Sequence, residues 1–397
     1  MRSKLIGGIM LIIGTSVGGG MLALPVATAA GGFFHSALLL FSAWLVMTLG
    51  SLLMLEVSLW LPEGTNLISM ARATLGRWGQ VITWFVYLLL LYSLLSAYIA
   101  GGSDLLHNLL QLIHIESPAW LNSILFVVVF GFVISRGILI VDWANRSLIS
   151  TKFLAYVLIV ALILPQATFK NLEGGQFKLL GGAVMMTVTS FGYASIIPTL
   201  RSYFKGHIHY LRLAVWIGSL ISLGIYLLWN LTVQGTIESE GSKGLVQMAS
   251  SGHAASDLMT ALATRLQNPL IALLVRVFAS ICVATSFLGI TIGLVDFLAD
   301  GLNIKQRSWG KLSLMLLSLG PPLLVILFYP GAFIKGLSYA GLFCVVLLML
   351  LPSLMAWSGR YIKKISHGYK LQGDKVLIAF ELVMALSLLV FGIFHLA

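Results

Sequence analysis

The first apolar segment of the chain contains a cluster of glycine and hydroxyl residues, GTSVGGG at residues 14–20. Glycines four residues apart, such as Gly14 and Gly18, let two membrane helices pack closely. Three successive glycines point in different directions around a helix, and each weakens the helix by about 1 kcal/mol relative to alanine. Unwound backbone at membrane depth is tolerated where it lines a cavity or is buried in protein. The cluster therefore predicts an interrupted helix beside a cavity.

A second interruption is predicted in the sixth apolar segment, where TSFGYAS at residues 189–195 is followed by Pro198. Proline removes one hydrogen bond of a helix and clashes with the preceding turn. The two interruptions lie five spans apart. Interrupted spans at corresponding positions of two halves indicate an inverted-repeat transporter with its binding site between them.

The chemistry of such a site follows from the ends of the broken helices. The first half ends in free C=O groups and the second half begins with free N–H groups. The N–H groups bind a carboxylate, and the C=O groups bind an ammonium or a metal cation. Gly19 and Gly20 have no side chain that blocks an anion from their N–H groups. The two interruptions therefore predict a site for a zwitterion, and a free amino acid is the natural substrate.

The composition is that of a membrane protein with many spans. Hydrophobic residues make up 59% of the 397 residues and charged residues only 9%, whereas soluble domains have about 25% charged residues. Apolar runs of about 18–25 residues recur along the whole chain, as expected of a polytopic helical protein. Cys282 and Cys344 both lie in apolar runs, and their spacing supports neither a disulfide framework nor a zinc site.

The apolar runs predict eleven transmembrane helices in a single domain of residues 1–397, an all-α fold with no soluble part. A short amphipathic helix is expected at 64–78 and one long polar connection at 237–268. The predicted spans are 4–31, 34–61, 79–106, 119–137, 147–166, 178–202, 209–236, 269–298, 310–329, 332–357 and 374–396.

The distribution of basic residues predicts the orientation of the chain. Most of the 24 lysines and arginines, Arg136 and Arg307 among them, lie in connections on the same side as the N-terminus. Basic residues accumulate on the cytoplasmic side of a membrane, which places the N-terminus inside and the C-terminus outside. The net charge of +11 follows from this topology, so no nucleic-acid partner is expected. The opposite side has Lys170, Lys178, Lys243 and Arg265.

These motifs resemble those of the amino acid–polyamine–organocation superfamily, and within it the bacterial aromatic and hydroxy amino acid permeases. The resemblance lies in GTSVGGGMLALP at 14–25, SFGY at 190–193 and ATSFLG at 284–289. It implies a five-plus-five inverted repeat with helices 1 and 6 broken, built from residues 4–166 and 178–357, with an extra helix at 374–396. The substrate would bind between spans one, three, six and eight. The protein would lie in the bacterial inner membrane, surrounded by the lipid bilayer, and would need no cofactor.

The resemblance also implies roles for single residues. The carbonyl groups near Thr15 and Ser16, with those of the sixth span, would bind the substrate ammonium, and Phe191 would close over the site. In the third span Tyr92, Ser93 and Tyr98 are open alternatives as substrate donors, and Tyr98 is preferred because two glycines follow it. The implied substrate-binding residues are Thr15, Ser16, Gly18, Gly19, Gly20, Tyr98, Ser190, Phe191, Gly192 and Ser286.

The coupling ion is left open between H⁺ and Na⁺. Sodium would bind the adjacent hydroxyls of Thr285 and Ser286 with carbonyl groups such as those of Gly14 and Val17, because hard oxygen ligands suit this ion. The alternative for these hydroxyls is a hydrogen bond to their own helix. Proton coupling is preferred because the permeases that the chain resembles are regarded as proton-driven.

The charged residues of the spans give no clear proton carrier. The carboxyl groups of Glu56, Asp296 and Glu381 are predicted near the cytoplasmic ends of their spans, where a side chain reaches the interface, so structural roles are favoured for them. Arg276 lies about 10 Å below the outer surface at about 1.5 Å per residue, and it is interpreted either as an outer gate or as a side chain that reaches the lipid headgroups. Lys335 lies at a similar depth, with the same two interpretations.

Other classes of function fit less well. A membrane enzyme needs a cluster of catalytic groups, and the spacing of His207 and His209 does not place them on one face of a helix. A phosphate-binding loop of the GxxxxGK[ST] type is absent from the sequence. A channel would have continuous pore helices or rings of charge. The sequence therefore predicts a symporter and no enzyme, with tyrosine as the first substrate, tryptophan as the second, and serine or threonine as the third.

Overall fold

The computed structural model of the protein describes residues 2–135, 138–241, 244–266, 268–305 and 309–396. Arg136, Lys243 and Arg307, which contribute to the predicted orientation, lie outside these residues. The described part is helical and has no strand. Its helices are α1 Arg2–Ser16, α2 Gly20–Ala27, α3 Gly32–Leu59, α4 Leu67–Leu112, α5 Ala119–Ser135, α6 Ile138–Ile163, α7 Phe169–Leu172, α8 Val184–Ser190, α9 Ile197–Tyr203, α10 Ile208–Thr236, α11 Leu245–Ser250, α12 Ala254–Leu266, α13 Pro269–Gly301, α14 Trp309–Phe328, α15 Phe333–Val345, α16 Leu351–Trp357 and α17 Asp374–Leu396.

Many of these helices are long and apolar enough to cross a membrane. Within the described ranges, nine helical stretches meet this condition by length and composition, and Ser3–Ser16 and Ala119–Ser135 are two shorter apolar helices. Large side chains such as Phe85 and Phe132 are exposed on the outside of the bundle. An apolar exterior of this kind fits lipid as the surrounding solvent.

The first predicted interruption lies where α1 and α2 meet. The helix α1 ends at Ser16 and α2 begins at Gly20. Between them the N–H of Met21 donates to the Gly18 carbonyl at 3.1 Å, and the N–H of Leu22 donates to the Gly19 carbonyl at 3.2 Å. These short-range bonds form a tight turn in place of the helical pattern. The glycine cluster therefore interrupts the helix at the residues from which the break was predicted.

The second predicted interruption lies between α8 and α9. The helix α8 ends at Ser190, and a 3₁₀ segment, Gly192–Ile196, leads into α9 at Ile197. Pro198 stands in the first turn of α9. Its missing N–H is not needed there, because the first N–H groups of a helix have no partner within the helix. Proline thus starts the second half of this broken helix.

The third predicted span begins earlier in the structure than its apolar run indicates. The helix α4 starts at Leu67, because the predicted amphipathic helix at 64–78 runs directly into the span. Gly76 separates the two parts with backbone angles φ 84° and ψ −164°. Only glycine adopts this region readily. One continuous stretch therefore contains two helices of different direction.

The long connection at 237–268 is more ordered than its polar composition suggests. It contains α11 and α12, which pack against α2 and α4. The buried side chains Leu258, Met259 and Leu262 lie on α12. The connection therefore covers the end of the bundle where the second half of the first broken helix lies.

Candidate substrate site

A cavity of about 120 Å³ lies between the two interruptions. Its walls come from both broken helices and from α4, α13 and α15. The two breaks predicted that the first and sixth spans meet here, the resemblance implied the third and eighth spans, and the contribution of α15 was not predicted. Six of the predicted substrate-binding residues line the cavity, namely Thr15, Ser16, Gly20, Tyr98, Ser190 and Gly192.

The glycines of the first break let two side chains approach the backbone closely. The Gly19 N–H donates to Ser286 Oγ at 2.9 Å. A Cβ atom on Gly18 would lie 2.5 Å from the same oxygen, and one on Gly19 would lie 2.9 Å from the ring of Tyr98. Gly19 has φ −58° and ψ −31°, which any residue adopts. Glycine is therefore needed here for space and not for backbone conformation.

Polar groups of the first break are available to a ligand. The hydroxyl of Ser16 is buried without a hydrogen bond in the described part of the structure. Gly20 begins α2, and the first N–H groups of a helix have no partner within that helix. Buried polar groups are normally hydrogen-bonded. Ser16 and Gly20 both line the cavity. These groups are the ones that a substrate carboxylate could reach.

The carbonyl groups at the ends of the two broken helices share one donor. The hydroxyl of Tyr226 on α10 lies 2.5 Å from the Ser16 carbonyl oxygen and 2.9 Å from the Ser190 carbonyl oxygen. Tyr226 is fully buried. Sequence reasoning missed this residue, because a tyrosine in an apolar run carries no sign of its partners.

A buried lysine contacts the same break from another side. Lys152 on α6 is only 2% exposed, and its Nζ donates to the Val17 carbonyl at 2.6 Å. Among the described residues no carboxylate forms an ion pair with it. Sequence reasoning gave Lys152 no role at the site. Its place inside the predicted span 147–166 was the signal that could have identified it, since a charge within a span is a functional candidate.

Phe191 packs against Tyr226 and is not part of the cavity wall. Its side chain is fully buried, and its ring meets the ring of Tyr226 edge to face at 5.3 Å. It does not line the cavity in this structure. Its role as a lid over the substrate therefore remains a prediction.

The residues predicted for sodium are engaged in other hydrogen bonds or lie apart. The Thr285 hydroxyl donates to the carbonyls of Ile281 and Cys282 on its own helix, at 2.8 and 3.2 Å. Ser286 accepts from the glycine turn, and the Val17 carbonyl accepts from the buried lysine. Gly14 has open space around the position of a Cβ. No cluster of three or more histidine, cysteine or acidic side chains that could hold a metal occurs in the described ranges.

The charged residues named as alternatives have different surroundings. Glu56 is fully buried and receives two hydrogen bonds from Arg360, at 2.6 and 2.7 Å. Removing one partner of such a buried ion pair is strongly destabilising, which favours a structural role for Glu56. Glu381 is also fully buried, and neither of its oxygens has a hydrogen-bond partner in the described part of the chain. Arg276 is half-buried and Lys335 is exposed, and neither lines the cavity.

A polar cluster attaches the connection at 237–268 to the end of α4. Asp104 accepts hydrogen bonds from the N–H and the hydroxyl of Ser256, at 2.9 and 2.6 Å. Its other contact is the ring of His253 at 2.9 Å. The hydrogen bond to Asp104 raises the pKa of His253 above its ordinary value of 6.5. The cluster therefore ties this connection to the bundle most strongly when His253 is protonated.

This cluster predicts a pH dependence of stability. Because the pKa of His253 is raised in the folded state, the ion pair contributes fully below about pH 6.5 and is lost as the pH rises through the folded-state pKa. The side chain is 55% exposed, so we expect at most about 1 kcal/mol. Thermal unfolding of the detergent-purified protein between pH 5 and 8 should show a smaller loss of stability with rising pH in His253→Gln than in the wild type. His367→Gln, an exposed site, is the control, and equal pH slopes in all three proteins would contradict the prediction.

The sequence matches known transport proteins along its whole length. Residues 1–393 match the model of the tryptophan/tyrosine permease family. The chain is 32% identical to tyrosine-specific transport system 1 of Haemophilus influenzae over 96% of this chain and 94% of that protein. It is 30% identical to the tryptophan-specific transport protein of Pseudomonas aeruginosa, over 90% and 87% of the two chains. It is also 28% identical to glutamine transporter 2 of Aliivibrio fischeri, over 98% and 99%.

Proposed function

This chain belongs to the tryptophan/tyrosine permease family, and from that premise we propose that it is a secondary transporter of an aromatic amino acid. Tyrosine is the first proposed substrate and tryptophan the second, taken up into the cell by alternating access. The observation that carries the proposal is the cavity between the two broken helices, where Ser16, Gly20 and Ser190 meet. Free backbone groups of both signs at one place suit a zwitterion.

The other walls of the cavity support a hydrophobic substrate side chain. Leu90, Leu91, Ile290 and Leu337 line it together with the ring of Tyr87. The volume of about 120 Å³ is smaller than the roughly 300 Å³ of a typical ligand pocket. An aromatic amino acid therefore requires the apolar walls to move apart when it binds. The alternative is a hydroxy amino acid, serine or threonine, which is smaller than tyrosine. One relative is named a glutamine transporter, so a polar substrate is kept as this alternative.

For the architecture we propose eleven spans in the inner membrane. The nine long apolar stretches and the two shorter apolar helices support this number. The two interruptions fall in the first span of each proposed five-span half, residues 4–166 and 178–357, which supports an inverted repeat. The final helix, Asp374–Leu396, is then the additional span. The N-terminus is proposed inside and the C-terminus outside, from the distribution of lysine and arginine.

For the coupling ion we propose the proton, with Lys152 as its carrier. A buried lysine side chain can lose its proton and take it up again, and Lys152 contacts the first break through the Val17 carbonyl. Protonation therefore changes the charge beside the substrate site. Sodium is the alternative, with Thr285 and Ser286 as its ligands.

Uptake into proteoliposomes tests the function directly. With an inward proton gradient of one pH unit and no sodium, we expect labelled tyrosine to accumulate about tenfold above its level with no gradient, since one unit supplies about 1.4 kcal/mol. An inward sodium gradient alone should give no accumulation. Unlabelled tryptophan, serine, threonine and glutamine serve as competitors, to rank the substrates. Absence of tyrosine and tryptophan uptake under both gradients would contradict the proposal.

A further inference from the structure

We propose that Tyr226 is a positioning residue that holds both broken helices in the geometry that binds the substrate ammonium. The inference rests on the proposed function of the site. Tyr226 lies on α10, outside both broken helices, and its hydroxyl is 2.5 Å from the Ser16 carbonyl oxygen and 2.9 Å from the Ser190 carbonyl oxygen. One side chain thus joins the two segments whose meeting defines the site.

The two carbonyl groups occupy equivalent places in their helices. Ser16 is the last residue of α1 and Ser190 is the last residue of α8. Carbonyl groups in the last turn of a helix accept no hydrogen bond from an N–H group of that helix. Both serines line the cavity. Both carbonyl groups are therefore available to a positively charged substrate group.

The phenol leaves these carbonyl groups able to bind a second donor. A carbonyl oxygen has two lone pairs, and a tyrosine hydroxyl has one proton to donate. Tyr226 therefore occupies at most one lone pair on each oxygen and shares its proton between them. The remaining lone pairs are available to the ammonium. Without the hydroxyl, nothing on α10 fixes the directions of the Ser16 and Ser190 carbonyl groups relative to each other.

The surroundings of Tyr226 keep it fixed. Its side chain is fully buried, and the ring of Phe191 packs against it edge to face at 5.3 Å. Tyr226 does not itself line the cavity. Its effect on the substrate therefore passes through the two carbonyl groups, which distinguishes a positioning residue from a direct ligand.

Tyr156 offers a matched control on the neighbouring helix. Its hydroxyl donates to the Ile225 carbonyl at 3.0 Å, one residue before Tyr226. Tyr156→Phe removes the same chemical group from the same part of the bundle, and it leaves the two broken helices untouched. If the loss of any phenol hydroxyl near α10 disturbs binding, Tyr156→Phe and Tyr226→Phe will both show the effect.

The experiment measures binding to the purified, folded fraction of wild type, Tyr226→Phe and Tyr156→Phe. The ligands are tyrosine, tyramine, which keeps only the ammonium, and 3-(4-hydroxyphenyl)propionate, which keeps only the carboxylate. We expect Tyr226→Phe to weaken tyrosine and tyramine binding about tenfold, the scale of one hydrogen bond to a charged group. Binding of the propionate should change less than about twofold, and Tyr156→Phe should leave all three within about twofold.

Two results overturn the inference. If Tyr226→Phe binds tyrosine as tightly as Tyr156→Phe, the hydroxyl does not position the site. If Tyr226→Phe weakens all three ligands equally, the role is structural and has no relation to the ammonium. If the wild type itself binds no aromatic amino acid, the proposed function has failed, and this outcome is distinct because it appears before any variant is compared.

Discussion

Replacing Lys152 with methionine is expected to reduce tyrosine uptake driven by a proton gradient by at least about a hundredfold, because a group that takes part in an essential proton transfer contributes about 10²–10⁴-fold. The variant loses the ammonium group that contacts the first break, at 2.6 Å from the Val17 carbonyl. Methionine has a similar length and no charge, so it fills the buried site. Uptake is measured in proteoliposomes with an imposed proton gradient.

The test separates coupling from binding. Exchange of labelled tyrosine for unlabelled tyrosine across the membrane needs no net proton movement, so we expect Lys152→Met to keep exchange. Lys152→Arg keeps the charge but cannot release a proton, and it should also fail to accumulate substrate. Lys335→Met replaces an exposed lysine and is the matched control. Proton-driven accumulation by Lys152→Met at the wild-type level would contradict the role of Lys152.

The sequence predicted the parts of this fold that depend on local residue types. Three successive glycines, and a polar segment followed by Pro198, are unfavourable in a helix wherever the chain folds. The breaks therefore appear where these residues stand, at 17–19 and at 191–196. The resemblance to aromatic amino acid permeases, which rests on the same residues, is confirmed by the family match over residues 1–393.

The contacts that complete the site depend on distant residues and were not predictable in the same way. Tyr226 is 210 residues from Ser16 in the sequence, and Lys152 is 135 residues from Val17. Nothing in the local sequence of α10 distinguishes a tyrosine that faces a helix break from one that faces lipid. Partners at such separations follow from packing of the whole bundle. Hydrophobic periodicity therefore located the helices and left their buried polar contacts undetermined.

The helix ends show a second limit of local patterns. The third span was predicted to begin at residue 79, and α4 begins at Leu67. The amphipathic helix expected at 64–78 is therefore present and merges with the third span in α4. The polar connection at 237–268 contains α11 and α12. The helices α11 and α12 form on polar sequence because one face of each packs on the bundle, and a search for long apolar runs does not detect such helices.

Replacing Gly19 with valine is expected to abolish tyrosine uptake, with a loss of at least about a hundredfold, while folded protein remains in the membrane. A Cβ at this position lies 2.9 Å from the ring of Tyr98 and 3.6 Å from the Val283 backbone, and closely packed sites accept added carbons only at a strain of about 1–3 kcal/mol. The added carbons push α4 or α13 away from the first break. They also disturb the Gly19 hydrogen bond to Ser286.

Gly14→Ala is the matched control from the same glycine cluster, because nothing lies within 4 Å of a Cβ there. We expect it to keep uptake within about twofold, since alanine is the better helix former. Gly19 has helical backbone angles, so a loss in Gly19→Val reflects the close approach of Tyr98 and not backbone strain. Uptake is compared at equal amounts of folded protein, measured by size-exclusion chromatography in detergent. Wild-type uptake by Gly19→Val would mean that the glycines serve helix packing elsewhere, and that the substrate does not bind against this turn.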